Sequence, residues 1–158
     1  MPESVPAPTV QRCNFTIRRG PGRPIADPVA AARAKLDQLL GRLALGDDVR
    51  HRIALATGEA VANGVEHSGR GEGVRVRVEL RLAGGELVVQ IRDGGAGFDP
   101  AAIPDPRAPD RRLARRGRGV LLMRSLSDAL DCSVDPCGSC VVTLRWTIDS
   151  TATDKERS

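Results

Sequence analysis

IALATGEAVANGVEHS, residues Ile53 to Ser68, decides how the rest of the chain is read. Glu59, Asn63 and His67 recur every four residues, which stacks them one turn apart on a single helical face. Ile53, Ala56, Ala60, Val61 and Val65 around them are small or apolar, as in a helix that packs into a core. A carboxylate, an amide and an imidazole aligned on such a helix need partners, because burying polar groups unpaired is costly.

Working outward, VRVRVELRL (Val74 to Leu82) alternates strictly, with valine and leucine on one face and charges on the other. That is the pattern of an antiparallel strand with one wet face. Gly84-Gly85 supplies a tight turn, and ELVVQIR (Glu86 to Arg92) returns and runs into Asp93-Gly-Gly-Ala-Gly-Phe98. Residues 99–116 are rich in Pro, Asp and Arg without periodicity; a loop of that length in a compact domain is usually functional, and it reads as a lid. Gly117-Arg118-Gly119 then opens a helix expected from Val120 to about Leu130. Two strands follow, 131–134 and 140–148, joined by a turn from Pro136 to Ser139. Upstream, Asp27-Pro28 starts a helix that carries Val29, Ala32, Leu36, Leu39, Leu40 and Leu43 as far as Gly46. Asp47 and Asp48 open the Ile53 helix, where carboxylates favour the dipole, and Gly69 and Gly71 end it. Cys13 to Arg18 reads as a short edge strand. The order strand, two helices, hairpin, lid, helix, hairpin predicts an α+β fold. Its form is a two-layer sandwich, with helices covering one face of a mixed, largely antiparallel sheet. One domain is expected over 13–148, between a disordered segment (1–12) and a disordered tail (149–158).

A chain of 158 residues suits one domain with a sizeable core. No run approaches the eighteen apolar residues of a membrane span, and MPESVPAPTVQR lacks the apolar stretch of a signal peptide, so the expected location is the cytoplasm. The net charge of +4 raises nucleic-acid binding as a possibility. Phe15, Phe98 and Trp146 are too few for a base-stacking platform, however, and the basic residues look concentrated between Arg107 and Arg124. The four cysteines read as free thiols. Cys132, Cys137 and Cys140 leave a metal site or a redox pair open; a zinc site wants four ligands, and no fourth is evident.

No GxxxxGK[ST] phosphate loop is present, so a nucleotide has to be held differently. Asp93 ends a strand, where its carboxylate can accept a purine amino proton, and Gly95 and Gly97 let ring and sugar approach the backbone. Gly117 and Gly119 sit at a helix start, which favours phosphate. Asn63 offers a hard carbonyl oxygen to magnesium, and Glu59 can take a proton from an attacking hydroxyl. His67 reads as a structural residue near the helix end.

These three segments, in this order, resemble the GHKL ATPase superfamily, and more narrowly its anti-sigma-factor serine/threonine kinases. Glu59-Ala-Val-Ala-Asn63 with Glu66-His67 is similar to that family's N-box, Asp93-Gly-Gly-Ala-Gly97-Phe98 to its first glycine box, and Gly117-Arg118-Gly119-Val120 to its second. The resemblance spans residues 25 to 147 and implies the GHKL fold. It makes Glu59 the general base and Asn63 the Mg2+ ligand, with Asp93 on adenine. Gly95, Gly97, Phe98, Gly117, Arg118, Gly119 and Val120 would line the ATP, and Arg115, Arg116 or Arg118 is placed by sequence to neutralise γ-phosphate charge. The implied reaction passes the ATP γ-phosphate to a serine or threonine of an anti-sigma antagonist protein. The other implied partners are a sigma factor and a second copy of the chain, as a homodimer, with no membrane or direct nucleic-acid contact. Departures from the family pattern are Gly58 and Gly64 inside the helix, Val120 in place of a commoner leucine, and the turn Cys137-Gly-Ser-Cys140. Competing readings are a non-catalytic, nucleotide-dependent protein-binding module, a histidine-kinase catalytic fragment, and a basic nucleic-acid binder.

Overall fold

The computed structural model describes residues 11–20, 22, 24, 26–68, 74–102 and 115–148. The alternating segment forms β2 (Val74–Ala83), and its return forms β3 (Glu86–Asp93). Gly84 and Gly85 both take positive φ, 59° and 75°, the requirement of a two-residue turn whose twist matches the strands it joins. β1 (Gln11–Arg19), β4 (Ala129–Val134) and β5 (Cys140–Thr147) complete one sheet in the order β1-β2-β3-β5-β4. Every pairing is antiparallel, so among the described residues the sheet is not mixed. β1 begins at Gln11 rather than Cys13, which moves Gln11 and Arg12 out of the expected disordered segment. Residues 1–10, the tail 149–158, and 103–114 of the expected lid lie outside the described residues.

Three helices cover one face: α1 (Ala26–Leu40), α2 (Asp47–His67) and α3 (Arg115–Leu126). Asp27 and Pro28 lie within the first turn of α1 rather than before it. That helix stops at Leu40, short of the expected Gly46. Arg42 and Leu43 donate instead to Leu39 and Leu40, a tighter i→i−3 pattern, and this swings Leu45 into the core. α2 starts as expected, with Asp47 and Asp48 in its first turn after Gly46. α3 differs most. It begins at Arg115, so Gly117 and Gly119 lie inside the helix, and it ends at Leu126 because β4 already starts at Ala129.

Strand alternation sorts the two faces. Val74, Val76, Val78, Leu80, Leu87, Val89, Ile91, Val142, Leu144 and Trp146 point at the helices and are buried against Leu36, Leu40, Ile53, Val61 and Met123. The other face is basic, its arginines flanking the buried Val88, Val141 and Thr143. Arg77 stands directly opposite Arg92, and Arg75 opposite Arg18, so cationic side chains are not confined to residues 107–124. No helix among the described residues is long and apolar enough to cross a membrane.

Trp146, the single tryptophan, is fully buried, and its indole N–H donates to the Leu126 carbonyl at 2.7 Å. That carbonyl belongs to the last turn of α3, where no intrahelical donor is available. Trp146→Phe should therefore destabilise the fold by about 1–3 kcal/mol, through an unsatisfied part-buried carbonyl and lost packing. Urea unfolding followed by circular dichroism measures this; an unchanged midpoint would show that the bond contributes nothing.

Candidate functional site

Residues from α2, the end of β3 and the start of α3 meet at one place. On α2, Glu59 is half-buried, Asn63 is buried, and His67 at the helix end is half-buried. The expected one-turn stacking is present because α2 runs unbroken from Asp47 to His67. Facing Glu59 and Asn63 is the backbone of Gly119. A Cβ at Gly119 would sit 3.1 Å from Glu59 Oε2 and 3.5 Å from both Asn63 side-chain heteroatoms. Only a residue without a side chain lets α3 lie this close to the pair. Gly117, in the first helical turn, is buried, and the amides of such a turn have no intrahelical acceptor. Gly119 lies farther in, where helical geometry pairs its amide with the preceding turn, so its contribution is close approach rather than a free N–H.

Asp93 ends β3 on the core side of the sheet and is buried. Its Oδ1 accepts the Gly95 amide at 2.6 Å, which closes the turn on itself. Two glycines make room for it. A Cβ at Gly64 would lie 3.1 Å from Asp93 Oδ2, and one at Gly95 would lie 2.7 Å from Asp93 Oδ1 and 3.1 Å from the His67 carbonyl. α2 therefore presses against the Asp93 turn almost backbone to backbone. This accounts for Gly64, which looked out of place in a helix. Gly58 has a different neighbour, the Arg33 side chain, with Nε 3.4 Å from its Cβ position.

Gly97 takes φ +78°, and Phe98 packs half-buried against the core. Val120 is fully buried beside Met123. Arg118 is exposed, while the side chains of Arg115 and Arg116 lie outside what is described. Arg124 donates to the Pro100 carbonyl and so ties α3 to the beginning of the long loop, a contact with no signature in the sequence. Pattern reading also passed over Thr57, which is fully buried on α2. Thr57 Oγ1, Asn63 Nδ2 and His67 Nε2 are buried without a hydrogen-bond partner among the described residues. With Arg50 Nε, near the start of α2, that makes four orphaned polar atoms along one helix, which is unusual, since buried polar groups are nearly always satisfied. The Asn63 amide is the one that lies beside both a carboxylate and a helix start.

Comparison with known proteins bears on the same span. The family model described as "Histidine kinase-like ATPase domain" matches residues 24–146. The chain is also similar to a protein of Clostridium botulinum (strain Eklund 17B / Type B) named anti-sigma F factor. The two are 29% identical over 104 residues, which cover 65% of this chain and 68% of that protein.

The neighbours Gly94 and Gly95 should respond unequally to alanine. A Cβ at Gly94 meets only the Ser68 carbonyl at 3.5 Å, an ordinary contact, whereas one at Gly95 collides with Asp93. Gly95→Ala should lower stability by about 1–3 kcal/mol, and Gly94→Ala by less than 1 kcal/mol. Thermal unfolding of the two variants checks this; equal midpoints would mean that the Asp93 turn has slack.

Proposed function

Because the chain belongs to the histidine kinase-like ATPase domain family, we propose that it is an ATP-dependent anti-sigma regulator with protein serine/threonine kinase activity. In this reading it holds a sigma factor inactive and transfers the γ-phosphate of ATP to a serine or threonine of an anti-sigma antagonist protein, acting as a homodimer. The observation that carries the nucleotide site is the meeting of Glu59, Asn63 and the Gly119 backbone, with Asp93 anchored against the same helix at Gly64. The similarity to an anti-sigma F factor supports the choice of partners.

Each residue has a distinct part. Asp93, held by the Gly95 amide, presents a carboxylate that accepts the adenine amino group. The first turn of α3 offers unpaired amides to phosphate oxygens, and its N-terminal dipole adds to the attraction. Asn63 carries the kind of hard carbonyl oxygen that Mg2+ prefers, and its buried, unpartnered Nδ2 has a hydrogen bond left to donate to a phosphate oxygen. When bound, the ion neutralises phosphate charge. Glu59, one turn from Asn63 and less buried, takes the proton from the incoming serine or threonine hydroxyl as that oxygen attacks. Gly119 keeps the space between Glu59 and α3 free of side-chain atoms.

The test uses purified protein, labelled ATP, Mg2+ and a candidate antagonist domain. Glu59→Ala should lower phosphoryl transfer by about 10²-fold or more while ATP affinity stays within a few-fold. Asp93→Asn should abolish ATP binding itself, measured by calorimetry. If the parent protein binds ATP and a sigma factor but yields no phosphorylated antagonist, the non-catalytic module is the correct description.

A further inference from the structure

The turn Cys137-Gly-Ser-Cys140 drew attention in the sequence, yet the strands bring a different pair together. Cys132 on β4 and Cys140 on β5 have their sulfurs 3.6 Å apart. The register explains this: Cys132 faces Val142 and Val134 faces Cys140, so the two thiols are diagonal neighbours on the core face. Cys137 is held away from them. Asp135 accepts the amides of Cys137 and Ser139 at 3.0 and 2.9 Å, and Asp135 N–H donates to the Ser139 carbonyl, which leaves Cys137 exposed at the tip. Cys13 sits on β1, across the sheet, where burial pushes its thiol above the usual range against a weaker opposing pull from Arg42.

The pair adjoins the nucleotide turn. A Cβ at Gly97 would lie 3.9 Å from Cys132 Sγ, 4.0 Å from Cys140 Sγ and 3.1 Å from Val134 Cγ2. Cys132 also lines an open groove with Ala96, Gly97, Phe98 and Val134, while Cys140 is buried behind it. One thiol is thus reachable from solvent and the other waits next to it.

We propose that Cys132 and Cys140 form an oxidative modification site, a dithiol that a hydroperoxide converts to a disulfide and that thereby displaces the Gly95–Phe98 turn. The Cys132 thiolate attacks one peroxide oxygen, the O–O bond breaks, and hydroxide leaves. The Cys140 sulfur then attacks the resulting sulfenic sulfur and expels a second hydroxide. Protons released from the two thiols convert both hydroxides to water. Two thiols and one hydrogen peroxide thus give one disulfide and two waters, the two electrons passing from sulfur to peroxide. Closure draws the sulfurs from 3.6 Å to about 2.05 Å, which on diagonal positions requires β4 and β5 to shift beneath Gly97. The effect on ATP rests on the function proposed above; the cross-link does not.

The experiment treats the reduced full chain with stoichiometric hydrogen peroxide, alkylates residual thiols, and maps peptides by mass spectrometry. A Cys132–Cys140 link is expected in the parent and in the Cys13→Ser, Cys137→Ser double variant, and none in Cys132→Ser or Cys140→Ser. A link through Cys137, or sulfinic acid at Cys132 without a link, overturns the assignment. In the double variant, oxidation should weaken binding of a fluorescent Mg-ATP analogue about tenfold, reversibly with dithiothreitol. It should also change amide hydrogen exchange over residues 94–99. A linked protein with unaltered exchange overturns the coupling to the turn. A reduced protein that ignores the nucleotide, yet links and changes its exchange, counts against the proposed function and leaves this site standing.

Discussion

Asp93 has to be held by two contacts at once. One oxygen takes the amide of Gly95, and the other lies against the bare backbone of Gly64. Neither contact tolerates a side chain in between, so α2 and the end of β3 must pack at backbone distance. That requirement propagates. β3 is the middle strand of the sheet, with β2 and β5 hydrogen-bonded to its two edges, so the position of Asp93 is tied to the registers of both neighbours. α2 in turn is the helix on which both α1 and α3 pack, and it carries Glu59 and Asn63. The arrangement of the site is a consequence of how closely one helix meets one strand end.

Glycine serves different purposes at different points around this contact. Gly84 and Gly85 are needed for positive φ, as is Gly97. Gly64, Gly95 and Gly119 are needed because something occupies the volume where a Cβ would be: Asp93 in the first two cases, Glu59 and Asn63 in the third. The second set is the more informative about function, because each of those glycines touches a polar side chain that pattern reading had already singled out.

Much of this was legible beforehand. The β2–β3 hairpin followed from strict alternation and Gly84-Gly85, and α2 from the four-residue spacing of Glu59, Asn63 and His67. What was hidden depended on non-local geometry. The end of α1 is hidden because Leu43 continues the apolar pattern while the chain tightens into i→i−3 bonds. The start of α3 was placed late because two glycines resemble a loop; packing against α2 outweighs their poor helix propensity. The all-antiparallel strand order rests on where the chain returns after residue 93, which no local periodicity encodes. The Cys132–Cys140 neighbourhood is set by strand register, whereas sequence spacing pointed to Cys137 and Cys140.

Position 64 sets helix propensity against packing. Exchanging a glycine inside a long helix for alanine is a standard route to a more heat-resistant protein, with a gain of about 1 kcal/mol. Here the added methyl would press on Asp93 and on Val76, whose Cγ2 is 3.2 Å away. Both neighbours are buried and have little room to give way, so overpacking opposes the helical gain at this codon. A rule that trades every helical glycine for alanine would misjudge α2 here, where the missing methyl is what admits the strand end.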